Sequence, residues 1–245
     1  MEPQPPQTTA PGAPRWGLGD FALGLFVGYA LASLLAGVWF AVSGEDDELD
    51  IAGQALTQIG LWTGMVGAVV LASRRKGAGR LDEDFGFRAG WSDVGVGVAV
   101  ALGTQLVLLP VIALLLRPLL GDPEVSGPVR DLLDQSQGPA YLGLLVSVAV
   151  GAPIVEELFF RGLLLRSLQR RMPDAAAVAV SAVVFGLAHG STLPAEAVVL
   201  VIVSLTAFGA VLAVLALRTG RLGPGIVAHA VFNLFTVLYL TVNPG

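Results

Sequence analysis

Long, almost wholly apolar stretches recur along this chain, and that recurrence constrains the fold more than any other feature. They lie at 21–43, 51–73, 92–116, 139–169, 175–190, 196–218 and 223–242. A helix rising about 1.5 Å per residue needs about 20 apolar residues to cross a hydrocarbon layer about 30 Å thick. Only a helix or a closed barrel satisfies the backbone hydrogen bonds there. The composition agrees: 54% of residues are hydrophobic and 13% charged, against roughly a quarter charged in soluble domains. The expected fold is all-α, a polytopic transmembrane helical bundle of about seven spans in a lipid bilayer.

Cysteine is absent, which excludes disulfides, thiolate metal sites and cysteine nucleophiles. No basic tract points to a nucleic acid as partner. Residues 1–20, with Pro3, Pro5, Pro6, Pro11 and Pro14, read as a disordered tail. The tail lacks the basic start and cleavage pattern of a signal peptide, so the first span is expected to be retained. Residues 21–91 then hold two spans and a loop, and 92–245 the remaining core. The fourth stretch is too long for one crossing. Its second half, with Arg161, Arg166, Arg170 and Arg171, is expected to emerge into the interface, and 118–138 reads as a polar connection. Charge sets the orientation. With the N-terminus in the cytoplasm, 12 of the 14 basic residues are cytoplasmic, leaving Arg117 and Arg130 outside with the acidic run Glu45, Asp46, Asp47 and Glu48.

Ionisable groups inside spans are costly and mark function by default. Here they are Glu156, Glu157 and Arg161 in the fourth span, His189 at the end of the fifth, and His229 in the seventh, beside Asn233. Pro153 removes a backbone donor and is expected to kink or restart the helix just before Glu156. Adjacent helical residues point about 100° apart, so Glu156 and Glu157 cannot converge on one atom. Glu157 and Arg161 have the spacing of an ion pair on one helix face. Glu156 is left as a candidate general base for water activation. Phe185 and His189 are four apart, which lets the ring pack beside the imidazole. His229 and Asn233 repeat that spacing and offer two donors suited to an oxyanion.

The same residues have blander readings as interhelical glue or, for Phe185, as core. Two histidines and a glutamate are also a catalytic zinc set, although the compact H-E-x-x-H arrangement is missing. Depth is a further check. By helical rise, Glu156 and His189 sit roughly 21–23 Å from the cytoplasmic ends of their helices, but His229 only about 9 Å. The last helix must therefore tilt or begin deeper, unless the Arg161–Arg171 segment lies flat and Glu156 is shallow.

Three of these patterns together resemble the CPBP, or Abi, family of intramembrane glutamic endopeptidases, which includes CAAX prenyl proteases and bacteriocin-immunity proteins. E-E-x-x-x-R is similar to Glu156-Glu157-Leu-Phe-Phe-Arg161, F-x-x-x-H to Phe185-Gly-Leu-Ala-His189, and H-x-x-x-N to His229-Ala-Val-Phe-Asn233. The resemblance covers roughly 92–242. It implies proteolysis within the membrane without a required metal or other cofactor, on a peptide or membrane-protein substrate. Glu156 and His189 would activate water, His229 and Asn233 would hold the oxyanion, and Glu157 and Arg161 would support them. The Ala, Gly and Val richness points to a bacterial plasma membrane. Two other readings of the same cluster are a non-catalytic binding scaffold conferring immunity and a proton-coupled transporter. The absence of an internal repeat counts against the transporter.

Overall fold

The computed structural model describes residues 14–44, 48–190 and 195–243, which are helical throughout apart from short connections. Nine helices are arranged in chain order among these residues. They are α1 (Leu18–Ser43), α2 (Ile51–Lys76), α3 (Leu81–Phe85), α4 (Trp91–Leu120), α5 (Gly127–Gln135), α6 (Pro139–Gln169), α7 (Asp174–Ala188), α8 (Ala195–Thr219) and α9 (Gly223–Val242). Six are long and apolar enough to cross a membrane: α1, α2, α4, α6, α8 and α9. The seventh apolar segment, α7, has only 15 residues. The chain is an integral membrane protein.

α6 is the centre of the bundle. Every residue from Glu157 to Leu165 is buried, and α1, α2, α3, α7 and α8 all pack against this part of it. Phe159 stacks on Phe21 of α1 with ring centroids 4.5 Å apart, and Phe160 meets Phe185 of α7 edge-on at 5.2 Å. Arg161 therefore does not emerge into an interface, whereas Arg170 and Arg171 beyond it are exposed. The helix runs on because Arg161, fully buried, finds its counter-charge four residues back instead of needing water. Arg161 also drops out of the loop charges used to orient the chain.

Pro153 does not break the helix either. The turns before it, Ser147–Gly151, widen to i→i+5 hydrogen bonds, and Gly151 keeps helical angles (φ −62°, ψ −58°). Wide turns also cover Glu157–Leu165 in α6 and Thr104–Leu108, just before Pro110, in α4. Widened turns absorb the missing proline donor and shift the register of the residues beyond them.

α1 and α2 form an antiparallel hairpin seamed by glycines. Each helix carries a G-x-x-x-G spacing, which lets backbones approach closely: Gly64 of α2 lies against the Gly28 backbone of α1, Gly60 against the Leu31–Ala32 backbone, and Gly24 makes room for Ala68 and Phe159. The N-terminal side of α1 also departs from expectation. The tail expected over 1–20 gives way to structure earlier: Trp16 is buried and α1 begins at Leu18, while 1–13 lie outside the described residues. Likewise 118–138 is not only a polar connection, since it contains α5. Of the acidic run, Glu45, Asp46 and Asp47 fall outside the described residues.

One end of the bundle is knitted by charge. Arg170 lies over the Trp16 ring at 4.0 Å and donates to its carbonyl, and Lys76 pairs with Asp20 at 2.7 Å. Asp84 of α3 accepts from Ser73 Oγ (2.6 Å), the Ala78 amide (2.9 Å) and Trp16 Nε1 (3.4 Å). Burial alone raises the Asp84 carboxyl, but the hydrogen bonds from Ser73, Ala78 and Trp16 outweigh it and hold the group below the usual carboxylate range. Its stabilisation is thus present above the unfolded carboxyl value of about 3.9 and lost as pH falls through the lower folded value.

The glycine seam and the buried carboxylate can each be tested. Gly64→Ala drives a Cβ into the Gly28 backbone, well inside van der Waals contact, so one helix must move. It should cost about 1–3 kcal/mol by overpacking, read as a lower thermal midpoint in detergent. Asp84→Asn should lower stability at neutral pH and flatten the acid limb of the wild-type profile below about pH 4. An unchanged acid limb would show that Asp84 does not carry it.

Candidate active site

Three helices bring the ionisable cluster together. α6 carries adjacent Glu156 and Glu157. The short α7 ends inside the bundle, and His189 caps its C-terminus with its amide bonded to Gly186 O at 3.2 Å. At about 1.5 Å per residue, α7's 15 residues span roughly 22 Å. The helix therefore stops short of a full crossing and presents His189 at the depth of Glu156. α9 supplies His229 and Asn233. α9 begins packed inside the fold, and its His229 comes within 3.9 Å of Glu156. Leu222 is fully buried and Gly223, Pro224 and Gly225 are buried, with the Leu222 and Gly223 amides bonded to Gly86 O and Arg88 O.

The two glutamates point to different partners, as their spacing requires. Glu157 and Arg161 are both fully buried and lie 2.9 Å apart. Arg161 also donates to Gly209 O on α8 at 3.2 Å and sits over the Phe185 ring at 4.1 Å. The same Glu157 Oε1 accepts from His229 Nδ1 at 3.2 Å. Glu156 turns the other way, with His189 Nε2 at 3.6 Å and His229 Nε2 at 3.9 Å from its Oε2. That oxygen is buried and has no hydrogen-bond partner among the described residues. His229 thus stands between the carboxylates, one ring nitrogen facing each.

The histidine rings are held as well. His189 Nδ1 is 2.8 Å from Phe185 O, which accepts its proton and leaves Nε2 aimed at Glu156. Phe185 does more than fill core: its ring lies 4.7 Å from His189 and 5.9 Å from His229. Phe208 of α8 meets His229 edge-on at 5.5 Å. Asn233 donates through Nδ2 to Val148 O in the widened stretch of α6 at 2.9 Å. One amide hydrogen of Asn233 is spent there and one remains. Glu156, His189, His229 and Asn233 all line one cavity of about 1480 Å³. For a metal, the described residues contain no group of three or more His, Asp or Glu side chains arranged to hold an ion.

Sequence reasoning missed Phe208, the Gly209 carbonyl and the dual role of Glu157. Phe208 and Gly209 lie in a span without ionisable residues, so nothing marked them. Gly225 could have been noticed: a Cβ there would lie 2.9 Å from Glu157 Oε2, so only glycine leaves that carboxylate its place.

The buried pair generates a prediction about stability. Arg161→Leu leaves Glu157 uncompensated in a low dielectric and should cost about 3–5 kcal/mol. The double change Glu157→Gln with Arg161→Met should recover most of it. Thermal unfolding in detergent checks both, and a double variant no more stable than Arg161→Leu would show that the pair's charge is not the issue.

Residues 138–235 match the family model described as Type II CAAX prenyl endopeptidase Rce1-like. The match holds all four cavity-lining polar residues named above and the Glu157–Arg161 pair. No curated protein and no solved structure matches the chain.

Proposed function

We propose that the chain, whose residues 138–235 match the Rce1-like model of type II CAAX prenyl endopeptidases, is an intramembrane endopeptidase in which Glu156 and His189 activate water. The observation that carries this is the buried Glu156 Oε2 facing two imidazole Nε2 atoms at 3.6 and 3.9 Å inside the cavity. Those separations exceed a direct hydrogen bond and suit groups that share a water. Phe185 O takes the Nδ1 proton of His189, so Nε2 presents a lone pair. Water then donates one proton toward Glu156 and one toward His189, with its oxygen directed at a peptide carbonyl.

Attack forms the bond from water oxygen to carbonyl carbon and moves a proton to Glu156. The carbonyl oxygen becomes an oxyanion, which His229 and the remaining Asn233 amide hydrogen stabilise. His229 stands between the two carboxylates, with Nδ1 at 3.2 Å from Glu157 and Nε2 turned to Glu156 and the cavity, so a proton carried on Nε2 makes the ring a donor to the oxyanion. Collapse breaks the C–N bond, and the proton on Glu156 passes to the leaving amine. The reading uses no metal, and its substrate is a membrane-associated peptide or protein segment.

Purified protein on a quenched-fluorescent peptide library tests the scheme. Glu156→Gln and His189→Ala should each lower kcat about 10²-fold or more, and Asn233→Ala about 10²-fold, with folding intact. Wild-type cleavage should survive a strong chelator. Full activity in Glu156→Gln would sink the mechanism. Loss to the chelator with recovery on adding zinc would establish a metalloprotease. No cleavage by folded wild type would favour a binding scaffold.

A further inference from the structure

The cavity reaches the polar cluster from one end of the bundle. Its lining comes from the α1–α2 connection, the C-terminal half of α4, α5, the N-terminal part of α8 and the C-terminal half of α9. All of these lie at the end away from Arg15, Arg74, Arg75, Lys76, Arg166, Arg170, Arg218 and Arg221. Those cations sit where α1, α4 and α9 begin and where α2, α6 and α8 end. The described end that the cavity faces has only Arg117 and Arg130, and both are engaged: Arg117 pairs with Asp122, and Arg130 donates to Asn243 O at 2.9 Å, fastening α5 to the end of α9. Positive charge is retained on the cytoplasmic side, so the cavity faces the other side.

The charge inside the cavity is one-sided too. Glu48, Asp131 and Asp134 stand at its rim and Glu156 at its floor, and no Lys or Arg lines it. The three rim carboxylates are in no ion pair among the described residues. His229 at the floor is 5% exposed and turns Nε2 toward Glu156. Walls of low dielectric focus such a field along the cavity and concentrate cations in it. Gln54 and Gln58 on α2 add amides that can bond an extended backbone.

We propose that this cavity is the substrate entrance, that it opens on the extracytoplasmic face, and that it takes an extended peptide segment bearing Lys or Arg. The proposal rests on the protease reading for what happens at the floor, but the entrance and its charge preference stand on their own geometry. A volume of about 1480 Å³ accommodates several residues of extended chain, and the acidic rim would meet basic side chains flanking the bond presented to Glu156.

The chain lacks cysteine, so single-cysteine variants report accessibility directly. In intact cells, a membrane-impermeant maleimide should label Asp134→Cys and Glu48→Cys without permeabilisation, but Glu83→Cys on the basic end only after it. The reverse pattern overturns the extracytoplasmic opening. Binding is measured separately on purified wild type and Glu156→Gln, using fluorescent peptides of equal length carrying three lysines or none. At low salt the cationic peptide should bind roughly tenfold more tightly, the equivalent of about 1.4 kcal/mol. Asp131→Asn with Asp134→Asn should shrink that ratio, and salt should shrink it further. Equal affinity for both peptides, or a ratio unmoved by the rim variants, overturns the cationic preference. Charge-selective binding without cleavage would sink the protease reading alone, whereas cleavage without charge selection would sink the entrance proposal alone.

Discussion

The Glu157–Arg161 pair is the interaction on which the rest of the structure depends. Two full charges with no solvent exposure are sustained at membrane depth only if each is compensated and further hydrogen-bonded. The pair answers that demand by reaching into three other helices, although Glu157 Oε2 and Arg161 Nε are buried without a hydrogen-bond partner among the described residues. Arg161 takes the Gly209 carbonyl of α8 and the Phe185 face of α7, and Glu157 takes the His229 ring of α9. A bundle in lipid gains little from the hydrophobic effect between its helices. This network therefore supplies specificity that apolar packing alone does not. It also explains why α6 continues through the middle of the fold instead of surfacing at Arg161.

The same network places the site. Because Glu157 is committed inward, the 100° offset between neighbours turns Glu156 to the cavity. Because Glu157 holds His229 by Nδ1, the Nε2 of that ring also faces the cavity. The widened turn Ser147–Gly151 contributes at a third point, since its Val148 carbonyl receives the Asn233 amide. Irregular backbone at membrane depth occurs where it lines a cavity or is buried in protein, and here it does the first. Glycine completes the fit: Gly225 gives Glu157 Oε2 its room, and Gly209 brings its carbonyl within reach of Arg161.

Much of this was legible in the sequence. The apolar stretches located the six long helices and α7, because the thickness of a bilayer sets a length that the chain must match. The four-residue spacing of Glu157 and Arg161 identified a pair that the structure places at 2.9 Å. The divergence of Glu156 from Glu157 came from helical geometry alone. What was not legible depended on tertiary neighbours. Arg161 was expected near water with the three arginines that follow it, and only its partners Glu157, Gly209 of α8 and Phe185 of α7 reverse that. Phe208 and Gly209 sit in an apolar run with no distinguishing mark. The amphipathic α5 hid among prolines and charges that read as a connection.

Residue counting from helix ends placed Glu156 and His189 together but left His229 too shallow, and the discrepancy pointed to a last helix that tilts or begins deeper, or to a shallow Glu156. In α9 the Gly86 and Arg88 carbonyls bond the Leu222 and Gly223 amides and hold the start of the helix inside the fold. α7 solves the opposite problem by being short. A helix that began at the basic end and continued through the membrane would carry His189 along its flank, but ending after 15 residues makes His189 the cap and aims its ring across the gap to Glu156. Two helices of abnormal placement, one starting late and one stopping early, thus bring groups from three segments to a common depth. That depth is also where the cavity from the acidic end terminates, so the reactive groups and the path to them are products of the same departures from regular spanning helices.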